Sequence, residues 1–568
     1  MWKSGNPAFL ERSGPGFFLA AMLLLASVYG RFADLPQQMD LRLYDESYYL
    51  CQGVFQPVNS WLADYSALYS LWYRFLHLLT GAEATDLYFL NYGIWTLILG
   101  LVVYHFSRLA GLSFPLALSW ALLATAAQVG LPLWPKAGHF TMMGTAVLFW
   151  FFLQWRHQLL KRMLLLAGGL FLLSWARPEF FAGGILALFF TGFYFWKNKE
   201  SLDKQSFIFF LTGIFLVAGC VMIWGWPIGR SGRGMVAFGQ HFVHNLRILE
   251  GASADGLNED WVNWREISLR ILGTDRSVSE AISNQPLLVL RHIGWNAGQL
   301  IWVPFQYFFE TLIPQRLFPF SVPVGVALLF VGFDALSGFR SLGQGFSKAL
   351  VWIRSQGFDL LPLLLPSMLA GLIFQARTHY LLPLFPVFVY GVARLLVGFS
   401  LDSLPSGWKK MLPWVLPLVL YFILPPTSSY FKAGKSPFPG NRPFEHFGCL
   451  YSGDFSHRKL VDALQKADFP EGSRWFDAST GATEFLGTRI QRFGKIGFEL
   501  DYPQITDMEA FLYRNDIQFV LLHPTMDYDH VLRRNGYLNQ LRRDPSSLNW
   551  EKRKLIGTGD SVLVRLQK

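Results

Sequence analysis

Apolar stretches that approach the thickness of a bilayer recur through the first three quarters of the chain. They run over about 16–33, 87–109, 114–132, 139–156, 162–177, 179–196 and 206–227, and after a long polar interval over 320–337, 359–376, 379–399 and 411–426. A hydrocarbon core of about 30 Å takes roughly 20 apolar residues as a helix, so the pattern predicts eleven spans. The stretch 286–313 is also apolar and aromatic, but Arg291, His292 and Asn296 interrupt it. Counting it as a span inverts every later loop. It is expected instead to lie along the interface or to re-enter the membrane.

Short loops set the expected orientation. Arg156, Lys161 and Arg162 form one basic loop; Lys197, Lys199 and Lys204 a second; Arg340, Lys348 and Arg354 a third; Lys409 and Lys410 a fourth. With the N-terminus inside, all four fall on the cytoplasmic side, as the positive-inside bias requires. An odd number of spans then leaves the C-terminal region outside.

Residues 427–568 pattern differently. Arg458–Ala467 has helical apolar spacing through Leu460, Val461 and Leu464, Asp507–Asn515 reads as another helix, and Ile517–Leu522 and Val562–Leu566 read as strands. The expectation is a membrane part over 1–426, with outer loops at 34–86 and 228–319, followed by an extracytoplasmic α/β domain over 427–568.

Composition agrees with a polytopic α-helical membrane protein. Of 568 residues 52% are hydrophobic and 15% charged, and 53 Phe and 21 Trp suit lipid-facing surfaces and interfacial belts. The net charge is +10. No basic run is dense enough to point to nucleic acid, and the excess reads as topological. The apolar stretch after Gly16 lacks a small-residue cleavage site and reads as a retained anchor. Cys220 lies in an apolar run, while Cys51 and Cys449 fall outside the membrane; spacing leaves their pairing open.

The predicted topology gathers ionisable residues on one face. Asp45, Glu46, Asp64, Lys136, His139, Arg177, Glu179, Arg377, His379 and Tyr380 fall in outer loops or at outer ends of spans, and His241 and His244 in the long outer region. Charge is costly in a bilayer, so such a gathering invites a functional reading. A carboxylate can take the proton of an acceptor hydroxyl as it attacks. Arg, Lys and His can stabilise a phosphate leaving group. Structural readings stand beside these. Asp45-Glu46 fits a solvated loop, Asp64 a cap on a helix beginning near Tyr65, and Arg177-Pro178-Glu179 a turn with a local ion pair. Lys136 and His139 fit interfacial anchors, and Arg377 and His379 fit side chains reaching for headgroups. His241 and His244 share a helical face at three-residue spacing, but a metal needs further ligands.

The run Tyr44-Asp45-Glu46-Ser47-Tyr48-Tyr49 in the first outer loop resembles the signature of membrane glycosyltransferases with the GT-C fold. The nearest flavour is the bacterial branch related to protein O-mannosyltransferases and aminoarabinose transferases. Asp64-Tyr65 with the following Leu68-Tyr69, the Arg177-Pro178-Glu179 turn and the run Arg377-Thr378-His379-Tyr380-Leu381-Leu382-Pro383 are similar too. The resemblance covers about 1–426 in layout. It implies a sugar donor on a polyprenyl phosphate, a glycan, lipid or protein acceptor, a bacterial cytoplasmic membrane and one inverting displacement. Asp45 would be the base, with Glu46 orienting base or acceptor and Asp64 next in line. Lys136, His139, Arg177, Arg377, His379 and Tyr380 would meet the donor phosphate, with Glu179 and His241 nearer the substrate. No metal site is assigned, although Asp45, Glu46 and a histidine leave a divalent ion open. The competing class is a transporter of a lipid-linked or anionic substrate, which would hold its ionisable groups nearer mid-membrane in two related halves.

Overall fold

The computed structural model describes residues 8–33, 35–38, 40–41, 43, 45–61, 66–130, 136–155, 158–198, 204–228, 233–250, 260–261, 263–312, 357–375, 377–397, 456–477, 481–493, 507–523, 530–556, 558 and 560–566. Helices cover each apolar stretch within them: Ala8–Phe32, Ala84–Ala110, Phe114–Gly130, Ala137–Gln154, Leu159–Leu173, Phe180–Asn198, Lys204–Trp224, Gly357–Ile373 and Phe385–Leu396. The expected spans at 320–337 and 411–426, Asp64 and Cys449 lie outside the described residues. By length and composition, three described helices can cross a membrane: Gly16–Gln37, Ala84–Ala110 and Phe180–Lys197. The count of eleven is not established. Leu159–Leu173 has 15 residues and Phe385–Leu396 has 12, short of the roughly 20 a crossing takes.

Ala84–Ala110 shows how sequence sets such a helix. Asp86 lies in its first turn and Arg108 in its last, matching the helix dipole. Gly111 ends it at φ 108°, where its N–H reaches the carbonyls of Ser107 and Arg108. Its inner face packs Leu99 and Val103 against Leu122, Phe149, Leu166 and Val389 from neighbouring helices. Phe18, Tyr29, Phe189, Trp196, Phe215 and Met222 stay exposed. An apolar surface of this kind fits association with a membrane.

Arg162 departs from the basic-loop expectation. It is fully buried in the Leu159–Leu173 helix, its guanidinium 4.1 Å above the Phe152 ring and ion-paired with Asp359. Tyr194 donates to the same carboxylate. An unpaired charge at that depth would be costly, and the pairing explains why an arginine can stand there. The stretch 286–313 likewise forms one continuous helix, Pro286–Leu312.

The C-terminal helices and strands fall close to their patterns, at Ser456–Lys466, Met508–Arg514, and β1 (Ser473–Asp477), β2 (Ile490–Phe493), β3 (Phe519–Leu522), β4 (Trp550–Lys554) and β5 (Ser561–Arg565). The sheet order is β2-β1-β3-β5-β4. β1 pairs in parallel with β2 and β3, whereas β5 pairs antiparallel with β3 and β4. Side chains alternate between two faces. Phe476, Val520 and Leu563 pack on Leu512, Leu538 and Leu541. Trp475, Phe519, Leu521 and Val562 belong instead to a core shared with Leu460 and Leu464 and with Leu41, Leu43, Tyr49 and Leu50 of the first loop region. Two polar contacts tie the same parts together. The Asp40 carboxylate accepts from the backbone N–H groups of His457 (3.0 Å) and Arg458 (2.8 Å), capping Ser456–Lys466 from another part of the chain. Gly487, at φ 61°, lies against Phe55, whose ring would be 2.7 Å from an added Cβ.

Candidate functional site

Asp45 and Glu46 open the helix Asp45–Phe55, where adjacent residues point about 100° apart. The two carboxylates therefore do not act as a pair. Glu46 is 2% exposed. One of its oxygens accepts from the Tyr69 hydroxyl (2.6 Å) and the Tyr73 hydroxyl, with Asn91 Nδ2 3.2 Å away. The other accepts from the Lys136 backbone N–H at 2.6 Å. Burial pushes its carboxyl above the usual range, against the bonds from Tyr69, Tyr73 and the Lys136 backbone and against the Lys136 charge. Trp72 Nε1, which can only donate, holds Asn91 Oδ1 at 2.8 Å and so fixes which way that amide faces. Lys136 sits beneath, its ammonium 4.0 Å over the Tyr92 ring. Burial brings that ammonium down to about 7, while the Glu46 charge works in the other direction.

Asp45 faces the other way, with its side chain 52% exposed and 3.7 Å from Arg233. Arg233 begins the helix Arg233–Leu249 and also donates to the Tyr49 hydroxyl. Burial lifts that hydroxyl to about 12.

Tyr380 centres a second group. The Arg177 guanidinium lies 4.5 Å above its ring, donates to Glu179 at 2.6 Å and reaches the His379 carbonyl at 3.3 Å. The His379 ring is 4.3 Å from that of Tyr380, and the Tyr380 hydroxyl meets His241 Nε2 at 3.4 Å. Arg377 stacks on Trp261 at 4.6 Å while its Nε donates to Gln375 at 2.9 Å. Arg177, Glu179, Arg377 and Arg233 all lie within electrostatic reach of the Tyr380 hydroxyl. Arg233, 3.7 Å from Asp45, also contributes its charge at the Tyr380 hydroxyl.

Backbone contacts hold the frame. Ser66 Oγ donates to the Ala176 carbonyl at 2.7 Å and Leu68 N–H to that of Trp175 at 3.1 Å, tying the start of the Ala67–Thr80 helix to the Arg177 turn. That helix begins at Ala67 with Ser66 as its cap residue. Gly138 faces the His379 carbonyl, 3.0 Å from where a Cβ would stand. His139, next along, is fully buried.

The expected residues therefore divide. Arg177, Glu179, His241, Arg377, His379 and Tyr380 gather in one place with Asp45 at its edge across Arg233. Glu46, Lys136 and His139 lie inside the protein. His241 and His244 both present to Trp261 edge-on, at 5.0 and 5.7 Å. Burial, and after it Arg377, pushes the His241 imidazole well below its usual range, away from the charged form. Among the described residues no three His, Cys, Asp or Glu side chains converge as a metal ion would need. Arg233, Trp261, Asn91 and Gln375 join the site without having been expected there from the sequence. Asn91 left a signal, an amide inside an otherwise apolar run, and Arg233 another, a cation in the glycine-rich Gly229-Arg230-Ser231-Gly232-Arg233-Gly234. No protein-family model matches the chain, and neither does any curated protein.

Proposed function

We propose that this protein is a glycosyltransferase with a GT-C-like membrane part, moving a sugar from a polyprenyl-phosphate donor to an acceptor hydroxyl at the extracytoplasmic face of a bacterial cytoplasmic membrane. One observation carries the reading: a half-exposed carboxylate, Asp45, stands across Arg233 from Arg177, Arg377 and His379 gathered around Tyr380. A base beside a set of cations is what displacement of a phosphate requires. Asp45 takes the acceptor proton as the acceptor oxygen bonds to the anomeric carbon. The bond from that carbon to the phosphate oxygen breaks, and the electron pair leaves on the phosphate. Arg377, with a planar fork suited to phosphate, meets the growing charge together with Arg177. Glu46 acts at a distance by fixing the helix that presents Asp45. The lipid chain of the donor runs along the exposed apolar helices, and the C-terminal unit leaves room for acceptor recognition.

The test is transfer of a labelled sugar by purified protein reconstituted in vesicles with a polyprenyl-phosphate donor. Label appearing on acceptor supports the reading. Label crossing the vesicle membrane unchanged, with no transfer, identifies a transporter instead.

A further inference from the structure

Four buried polar side chains lie behind Arg377. His292 and Asn296 stand one turn apart on Pro286–Leu312, Asn245 lies on Arg233–Leu249, and Gln375 follows Gly357–Ile373. None is more than 4% exposed. Polar groups at that depth cost stability unless each finds a partner.

The partners run in one direction. Asn296 Nδ2 donates to the Leu372 carbonyl (2.9 Å) and the Phe374 carbonyl (3.0 Å) at the C-terminal end of Gly357–Ile373. A carbonyl can only accept, so the Asn296 amide is fixed with its oxygen facing Asn245. Asn245 Nδ2 donates to that oxygen at 2.8 Å. The Asn245 oxygen then accepts from Gln375 Nε2 at 3.0 Å. This leaves Gln375 Oε1 to accept from Arg377 Nε at 2.9 Å. His292 completes the set: its Nε2 meets the Ile373 carbonyl at 3.0 Å and must donate, so its Nδ1 accepts from Asn245 Nδ2 at 3.2 Å. The 3.1 Å approach of Asn296 Nδ2 to the same Nε2 is a contact between two donors turned to neighbouring carbonyls.

Acceptor-only carbonyls lie at one end and a donor-only guanidinium at the other, so no amide between them can flip without placing like against like. We infer that Asn296, Asn245 and Gln375 are positioning residues, a one-way hydrogen-bond chain that sets the plane of the Arg377 guanidinium over Trp261. The role of this chain in ligand binding rests on the reading of Arg377 as a phosphate contact. It also accounts for His292 and Asn296, two of the three polar residues that interrupt the apolar stretch 286–313.

The experiment uses the full chain in lipid nanodiscs, a fluorescent polyprenyl monophosphate as probe, and a thermal melt of each variant. Arg377→Ala tests the phosphate contact itself. Gln375→Met removes the acceptor with little change of volume and should weaken probe binding about tenfold. Asn245→Leu touches neither Arg377 nor the probe, yet should weaken binding severalfold. The double variant should bind no worse than Gln375→Met alone, because Asn245 acts only through Gln375. Should Leu prevent folding, Asn245→Asp keeps the shape, turns the donor end into an acceptor and should weaken binding likewise. Parent-like binding by folded Asn245 and Gln375 variants, with Arg377→Ala impaired, overturns the chain and leaves the phosphate reading standing. Additive losses in the double variant overturn it too. Parent-like binding by Arg377→Ala removes the phosphate reading itself.

Discussion

Glu46 accepts every hydrogen bond offered to it, so no donor fits in its place. Tyr69 and Tyr73 each receive a bond from Asn91 Nδ2, at 2.8 and 2.7 Å, which commits their hydroxyl hydrogens to Glu46. Glu46→Gln would aim an NH₂ at one of these donors, and should destabilise the protein by about 1–3 kcal/mol, the cost of a buried unsatisfied group. A melt of the folded variant checks this; a parent-like midpoint contradicts the assigned polarity. The adjacent carboxylates were visible in the sequence as candidates for chemistry, but their division was not. Which of two neighbours is buried depends on the helix that carries them and on Tyr69, Tyr73 and Asn91, which lie 23, 27 and 45 residues away. Arg233 escaped notice for the same reason, since its partners Asp45 and Tyr49 are nearly two hundred residues upstream.

At the scale of elements, apolar periodicity located the described helices well and their membrane role less well. A run of about 15 residues reads alike whether it crosses a bilayer or fills a protein core. Arg162 shows the difficulty, because a cation at the end of an apolar run looks like a loop residue until Asp359 appears beside it. His292 gives the helix Pro286–Leu312 a pH dependence. Burial brings its imidazole from 6.5 down to about 4, so the unfolded chain binds the proton more tightly. Its contribution to stability is complete above pH 6.5, falls as the pH drops towards 4 and reaches a loss of about 3 kcal/mol below it. His523, also brought to about 4, adds a similar fall. His292→Gln should therefore lose less thermal stability between pH 6.5 and 4 than the parent does. An equal loss in both would show that His292 does not titrate there.

Across the whole molecule, the C-terminal unit and the first loop region fold on one core. Both were legible separately, the unit from its helix and strand patterns and the loop from its carboxylates and aromatics. Their contact was not, because Asp40 and His457 are 417 residues apart and neither carries a motif. The helix that presents Asp45 therefore leans, through Phe55, on Gly487 in the segment Ala482–Arg489 that leads into β2. Asp40→Ala removes the cap on Ser456–Lys466 and should cost about 1–2 kcal/mol. That corresponds to roughly 5–30-fold more opening of the contact, readable as faster amide exchange over 456–460. Unchanged exchange there would mean that the shared apolar core alone holds the unit in place.

The most direct measurement is sugar transfer by Asp45→Asn, with polyprenyl-phosphate binding measured on the same preparation. The substitution keeps the size of the side chain and removes its basicity. Transfer should fall by at least about 100-fold, with donor binding and melting temperature close to those of the parent. Near-parent transfer by the folded variant would contradict the assignment of Asp45, and the base would then have to be sought at another carboxylate.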